Sequence, residues 1–281
     1  LQKIPYKGVN LLRASSKMQK VLTPFGHRLN PDRWIFIIGC YNSGTSLLAE
    51  ILARHPKISG LPLEGVSLTD SLPRPEEFGW PRMWGQCLNK IQIDLNTDQT
   101  KRVDRIKKQW SIWYSPKKTN LLEKSVPNVP RILFLQKYFY PAYFIYIVRN
   151  GYAVSEGIRR KGKPKKYKNS IYNDQYPIEL CAEQWKLSDD IIEINKAKIS
   201  HLIQISYEDF TEDPQTVMQQ ITNFLDLEPI SYRLFEKIWN IHGSKASIQN
   251  MNGKSISKLS GEEKRKVEQV AGKTLEKYFY I

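Results

Sequence analysis

Residues 34–55 carry the pattern that most restricts the fold: an apolar run, a glycine-bearing turn and a helical repeat in direct succession. The run WIFIIGC does not alternate between polar and apolar residues, which is typical of a parallel strand that is covered on both faces. YNSG then marks a turn, and from Thr45 the leucines and isoleucines recur at helical spacing until His55 and Pro56. A strand, a turn and a helix within about twenty residues begin a β-α-β unit. The segment therefore predicts an α/β fold in three layers, with a central parallel sheet flanked by helices.

The rest of the chain supplies further elements of the same kind. Two apolar runs, YFIYIVR at 143–149 and HLIQIS at 201–206, predict two more buried strands. Helical spacing or capping residues predict helices over 101–114, 131–139 and 177–198, after Asp213 with Pro214, and after Ser260 with Glu263. Strands that alternate with helices are expected of a parallel sheet.

The length of 281 residues is compatible with one domain. We expect an irregular arm over 1–33, because prolines are spread through it, followed by a single domain over 34–281. Residues 60–85 are rich in Pro, Gly and Trp, which predicts a long structured loop. Trp185 and Trp239 stand at helical positions and are predicted to belong to the core.

The formal net charge of +15 predicts a surface that attracts polyanions, nucleotides with several phosphates or acidic glycans. The densest basic run covers 159–168. Such a run is either a solvated loop or, if it lies beside an anion site, a region that steers an acidic ligand. The charge restricts the partner's sign and leaves its identity open.

The three cysteines share no CxxC spacing, and no cluster of histidines completes a zinc site. They are therefore interpreted as reduced thiols in a cytoplasmic compartment. No apolar run approaches the ~18 residues that a membrane span needs, so no transmembrane segment is predicted. Because the sequence opens at Leu1 and not at Met, this expectation does not extend to a targeting segment upstream.

The turn between the first strand and its helix is the strongest candidate for a ligand site. It would aim the amides of Ser43, Gly44, Thr45 and Ser46 at an anion, because the first N–H groups of a helix lack intrahelical partners. The spacing does not match GxxxxGK[ST], and the lysine that nucleoside triphosphatases use is missing before Thr45. The alternative is an ordinary corner between a strand and a helix.

Several blocks together resemble the sulfotransferases that use 3′-phosphoadenosine 5′-phosphosulfate (PAPS). YNSGTSLL, followed by HP, resembles the family's 5′-phosphosulfate loop, which commonly reads PRSGTTLL. LLEKSVPN at 121–128 and RILFLQKYFYPAYFIYIVRNGYAV at 131–154 resemble its second and third blocks, and ISYEDFTEDPQTVMQQITNFLDLE at 205–228 resembles a later one. The blocks cover most of 34–228 in the family's order.

The resemblance implies a P-loop nucleotide-kinase-like fold, PAPS as co-substrate, adenosine 3′,5′-bisphosphate as product and no metal. It is closest to the tyrosylprotein and glycan sulfotransferases, of a bacterial type. It implies that Ser43, Gly44, Thr45 and Ser46 hold the 5′-phosphosulfate and that Arg149 binds the 3′-phosphate. Other implied nucleotide contacts are Tyr207, Lys245 and Lys254. For Arg149 the alternative is a surface ion pair.

Two residues carry the chemistry that the resemblance implies. Glu64, eight residues after Pro56, stands near the family's catalytic glutamate and would take the proton from the acceptor hydroxyl. Lys124 matches the family's lysine and would neutralise the leaving phosphate. The alternatives are a solvated loop position for Glu64 and a salt bridge between Lys124 and Glu123.

The sequence departs from the family's pattern at two positions. Asn42 stands where a basic residue usually precedes SGT, so it can donate a hydrogen bond but brings no charge. Gly157 replaces the serine that usually follows the strand arginine by eight positions. Ser155 lies nearby and could substitute. All three are retained as candidate site residues, Asn42 as a catalytic residue as well.

The acceptor is expected to be a hydroxyl of a glycan or small molecule, and no nucleic-acid partner is implied. The sequence does not determine the oligomeric state. Two other functions stay open: a nucleotide or small-molecule kinase, and a polyanion-binding protein without catalysis. Preference for adenosine 3′,5′-bisphosphate over ATP would distinguish the first, and competition by that bisphosphate the second.

Overall fold

A computed structural model describes residues 16–241 and 244–281. The strands are β1 (Arg33–Ile38), β2 (Ile58–Gly60), β3 (Asn120–Lys124), β4 (Ala142–Val148), β5 (Leu202–Ser206), β6 (Trp239–Ile241) and β7 (Ser244–Ala246). The helices are α1 (Ser16–Leu22), α2 (Thr45–Leu52), α3 (Leu88–Ile91), α4 (Thr100–Ser111), α5 (Ile132–Tyr138), α6 (Gly151–Gly162), α7 (Ile178–Asn195), α8 (Tyr207–Glu212), α9 (Pro214–Phe224), α10 (Asn252–Ile256) and α11 (Gly261–Lys277).

β1 is the central strand of a five-stranded sheet with the order β2-β3-β1-β4-β5. Every neighbouring pair in this sheet is parallel, and Ile35 of β1 lies opposite Leu122 of β3 and Tyr143 of β4. The chain leaves β1 towards β2 and later returns to β4 on the other side. The carboxyl ends of β1, β3 and β4 therefore meet at one edge, next to the strand at which the order reverses, where open α/β sheets bind ligands.

The core has two layers because successive side chains of β1 point to opposite faces of the sheet. Trp34, Phe36 and Ile38 pack in one apolar cluster, whereas Ile35 and Ile37 pack in the other. All five are at most 1% exposed. Burial on both faces explains why the run does not alternate in polarity, and it confirms the predicted three-layer α/β fold.

The predicted helices and strands agree with the structure to within a few residues. Two helix starts also have the predicted caps: Asp213 accepts a hydrogen bond from the Thr216 amide, and Ser260 with Glu263 forms a full capping box. The segment 60–85 is a loop with short 3₁₀ turns, such as Pro75–Phe78. None of the helices in the described ranges is long and apolar enough to cross a membrane.

Some elements differ from the prediction. Trp239 is buried as expected, but it lies on β6 of a two-stranded antiparallel hairpin and not on a helix. Within the predicted irregular arm, residues 1–15 lie outside the described part and Ser16–Leu22 form a helix. The domain boundaries at 33 and 34 remain a prediction.

Candidate active site

The turn between β1 and α2 has the backbone shape of an anion-binding loop. Gly44 is the N-cap of α2 with a φ of 92°, and no side chain caps the helix. A Cβ at Gly44 would lie 2.7 Å from the ring of Tyr207, so both the left-handed backbone and the close approach require glycine. Ser43 is 1% exposed and its Oγ has no hydrogen-bond partner within the described ranges. The turn thus combines a buried hydroxyl with uncapped helix amides.

Arg149 directly follows β4 and reaches this turn. Its Nη1 donates to the carbonyl oxygen of Asn42 at 2.6 Å, and its guanidinium lies 4.1 Å from the centroid of the Tyr207 ring. The residue is 7% exposed, and burial lowers its pKa. Its Nη2 is buried without a hydrogen-bond partner, and Arg149 forms no ion pair in the described part of the chain. Arg149 is therefore a buried residue and, among the described residues, not a member of a surface ion pair.

Residues that the sequence did not single out hold Arg149 in place. Asn252, at the start of α10, accepts a hydrogen bond from Arg149 Nε at 2.8 Å and donates to Glu208 at 2.5 Å. Trp185 Nε1 donates to the Arg149 carbonyl at 3.0 Å. These contacts span up to 103 residues of sequence, so no local pattern reveals them.

Tyr207, the first residue of α8, links the turn to the C-terminal segment. Its hydroxyl donates to the Gln249 carbonyl at 3.0 Å and accepts from the Met251 amide at 3.1 Å. Lys254 lies exposed on the same short helix as Asn252, whereas Lys245 lies exposed on β7. The structure brings Tyr207 to the turn, and nucleotide contacts by the two lysines remain predictions.

Glu64 and Lys124 form an ion pair at the same edge of the sheet. Lys124 is the last residue of β3, and its Nζ lies 2.6 Å from Oε1 of Glu64 in the loop after β2. The side chains are 10% and 27% exposed. Lys124 thus pairs with Glu64 and not with Glu123, and Glu64 is not a fully solvated loop residue. The two predicted catalytic groups meet although 60 positions separate them.

Glu123 holds the loop that carries Glu64. Its buried carboxylate accepts from the Gly65 amide at 2.8 Å, from Asn128 Nδ2 at 2.7 Å and from the Ser125 hydroxyl. Trp110 Nε1 donates to the Gly65 carbonyl at 3.0 Å. Burial raises the pKa of Glu123 to about 7, against the lowering effect of its hydrogen bonds. Gly65, which follows Glu64, is therefore held by hydrogen bonds at both its amide and its carbonyl oxygen.

Asn42 and Gly157 are in direct contact, which connects the two departures from the family's pattern. A Cβ at Gly157 would lie 2.8 Å from Cγ and Nδ2 of Asn42. Ser155 is completely buried, and its hydroxyl donates to the Gly151 carbonyl at 2.7 Å within α6. Ser155 thus has its acceptor inside the helix, and a contact with phosphate remains a prediction.

The basic run at 159–168 divides between a helix and a loop. Arg159 and Arg160 lie on α6 and form ion pairs with Glu263 and Glu156. Beyond the end of α6 the lysines are exposed. In the part of the chain that the structure describes, no group of three or more His, Cys, Asp or Glu could hold a metal ion.

A family match covers the part of the chain in which most of these residues lie. The sequence profile of the sulfotransferase family matches residues 34–231. The chain is similar to the sulfotransferase domain from the curacin biosynthetic pathway, with 20% identity and a TM-score of 0.52 over 88% of this chain and 98% of that one. It is also similar to sulfotransferase STF9 from Mycobacterium avium, with 14% identity and a TM-score of 0.55 over 96% of this chain and 82% of that one. No curated protein sequence matches. Both structural likenesses support the predicted P-loop-like α/β fold.

Proposed function

We propose, from the premise that this chain belongs to the sulfotransferase family, that it transfers a sulfonate group from PAPS to a hydroxyl of a glycan or small molecule. The observation that carries the donor assignment is the contact between Arg149 and the turn after β1. An arginine with an unpartnered buried Nη2 lies within one hydrogen bond of a turn with an unpartnered buried serine hydroxyl. Buried polar groups without partners are rare in folded proteins, and here they face the edge of the sheet that binds ligands.

The donor would bind with opposite ends on these two groups. The uncapped amides at the start of α2 suit the 5′-phosphosulfate, because a helix N-terminus favours an anion. The arginine fork of Arg149 suits the 3′-phosphate, to which it can donate two hydrogen bonds. Tyr207 packs on both Gly44 and Arg149, so it would fix the distance between the groups that bind the two ends of the donor.

The transfer step would use Glu64 and Lys124. The acceptor oxygen attacks sulfur and forms the new O–S bond while the S–O bond to the 5′-phosphate breaks. Glu64 takes the hydroxyl proton, and adenosine 3′,5′-bisphosphate leaves. Lys124, which contacts Glu64 before the donor binds, would then turn its ammonium to the leaving phosphate oxygen. Positioning and charge stabilisation would supply most of the rate, as in phosphoryl transfer.

The donor assignment is tested by binding. Calorimetry should show that adenosine 3′,5′-bisphosphate binds more tightly than ATP, because no lysine precedes Thr45 to hold a triphosphate. Tighter binding of ATP would favour the kinase alternative, and steeply salt-dependent binding of polyanions with no effect of the bisphosphate would favour the non-catalytic one. A strict magnesium requirement would also count against sulfonate transfer as described.

The catalytic roles are tested by substitution, with acceptors found by screening against labelled PAPS. Glu64→Gln and Lys124→Ala should each lower turnover by at least about 10²-fold and leave bisphosphate binding mostly intact. Glu212→Gln and Lys117→Ala are matched controls at exposed positions and should match the wild type. Near-normal turnover in both site variants would refute the roles of Glu64 as the base and of Lys124 as the cation at the leaving phosphate.

A further inference from the structure

The side chain of Asn42 leaves no room for a larger residue at 157. Asn42 adopts a left-handed backbone with a φ of 63°, and its side chain occupies the space that a Cβ at Gly157 would need. Neither residue brings a positive charge to the turn. The sulfonate that would lie beside this turn is itself negatively charged, so a cation from elsewhere in the chain would stabilise it there.

Arg82 is a second cation that reaches Asn42, in addition to Arg149. It belongs to the loop between β2 and α3, and its Nη1 lies 3.4 Å from Oδ1 of Asn42. Its guanidinium lies 5.7 Å from the centroid of the Tyr41 ring. Arg82 is partly buried and forms no ion pair among the residues that the structure describes. The guanidinium of Arg82 thus lies at the turn, and no carboxylate within the described ranges forms an ion pair with it.

The backbone around Arg82 is held firmly. Arg82 itself has a φ of 63°, which is uncommon for a residue other than glycine. The neighbouring Met83 is completely buried, and Tyr176 donates to the Pro81 carbonyl at 3.1 Å. A guanidinium on such an anchored segment is preorganised, so little ordering is needed when a ligand binds.

Other cations converge on the same place. Lys161 lies one helical turn beyond Gly157 on α6, and burial together with the nearby charges of Arg82, Arg160 and Arg149 lowers its pKa to about 8. Arg160 is neutralised by its ion pair with Glu156, so the charges that favour an anion here are those of Arg82, Arg149 and Lys161.

Arg82 also lies beside Tyr41, the residue that precedes Asn42. Burial raises the pKa of Tyr41, the carboxylates of Glu76 and Glu64 raise it further, and Arg82 opposes them. The guanidinium of Arg82 therefore lies next to both Tyr41 and Asn42, at the start of the turn whose amides would receive the anion.

We propose that Arg82 supplies the positive charge that position 42 lacks and binds the sulfonate group during transfer, held there by the Asn42 side chain. This inference rests on the proposed function and names a further substrate-binding residue of the same site. Charge-assisted hydrogen bonds from a guanidinium suit the sulfonate oxygens, which carry the negative charge of the group that moves.

The test removes the positive charge at position 82 and then restores a positive charge at position 42. Arg82→Gln should lower kcat/KM for PAPS by about 10²-fold, the order of magnitude for losing one preorganised donor to the reacting group. The Kd of adenosine 3′,5′-bisphosphate, which has no sulfonate, should change by less than about fivefold. Arg82→Lys should retain part of the activity, and adding Asn42→Lys to Arg82→Ala should restore at least about tenfold. Arg74→Gln is the control, because Arg74 is in the same loop and pairs with Glu77.

The outcomes separate this inference from the function on which it rests. If the wild type neither binds the bisphosphate nor transfers sulfonate, the proposed function fails. If the wild type does both and Arg82→Gln stays within about twofold of it, only the role of Arg82 is overturned. If Arg82→Gln lowered kcat/KM for PAPS and the affinity for the bisphosphate by equal factors, the role would be overturned too, because Arg82 would then contact a phosphate. Failure of the lysine at position 42 to rescue would contradict the charge replacement.

Discussion

Glu123→Gln should change how the stability of the protein depends on pH. Glu123 is 1% exposed, and its carboxylate has three hydrogen-bond donors but no ion-pair partner within the described ranges. Burial raises its pKa from 4.5 to about 7, so the folded protein binds a proton that the unfolded chain has already released near neutral pH. The stability that Glu123 contributes is complete below about pH 4.5 and is lost as the pH rises through about 7.

The magnitude follows from the two pKa values. With 4.5 in the unfolded chain and about 7 in the folded protein, the free energy of unfolding falls by about 2 kcal/mol between pH 5 and pH 7 through this group alone. Glutamine does not titrate. The difference in unfolding free energy between the wild type and Glu123→Gln should therefore shift by about 2 kcal/mol over this interval, with the wild type losing stability as the pH rises.

Urea unfolding followed by the fluorescence of the seven tryptophans, at half-unit steps from pH 5 to 7, measures this difference. Other titrating groups cancel when the two proteins are subtracted. Glu212→Gln, at an exposed position on α8, should give a difference that does not depend on pH. A constant difference for Glu123→Gln would refute the raised pKa. A wild type that gains stability relative to the variant would show that its hydrogen bonds outweigh burial.

Two further predictions concern parts of the fold away from the site. All three cysteines are free and buried, and burial raises the pKa of each thiol. A thiol reagent at pH 8 should therefore modify the native protein on the order of 10² times more slowly than the denatured protein. One thiol that reacts fast in the native protein would contradict this. Asp189 accepts hydrogen bonds from Tyr146, Tyr278 and Lys277, so Asp189→Asn should cost about 2–4 kcal/mol and speed hydrogen exchange in α11. Asp190→Asn, which affects only a surface pair with Lys186, should cost less than about 1 kcal/mol, and equal effects of the two would refute the anchoring role.

Local patterns predicted most of the fold because they report local physics. The run at 34–38 is continuous because both faces of β1 are covered, and the helices after Asp213 and Ser260 start where side-chain caps satisfy their first amides. β3 escaped prediction because Asn120, Glu123 and Lys124 are polar residues in a buried strand. Asn120, Glu123 and Lys124 each have a partner about 60 residues away, namely Lys57, Gly65 and Glu64, so the strand does not look buried until the chain is folded.

The candidate site divides in the same way. The turn at 43–46 and Arg149 are recognisable from sequence because each stands at the end of a predicted strand, and parallel strands bring such ends to one edge. Their roles still depend on the tests above. The sequence analysis did not single out Arg82, Glu123 and Asn252, because each contacts the site through a partner that is distant along the chain.

The sequence alone determined which segments become strands, turns and helices, since periodicity and capping act over a few residues. It also determined that the central strand is followed by a turn whose backbone amides begin a helix. Only the tertiary structure decided which polar groups meet: that Lys124 contacts Glu64 and not its neighbour Glu123, and that Arg82 reaches Asn42. The physical reason is that a buried or half-buried polar group takes the partner nearest in space, and that distance is set by how the sheet and its loops pack.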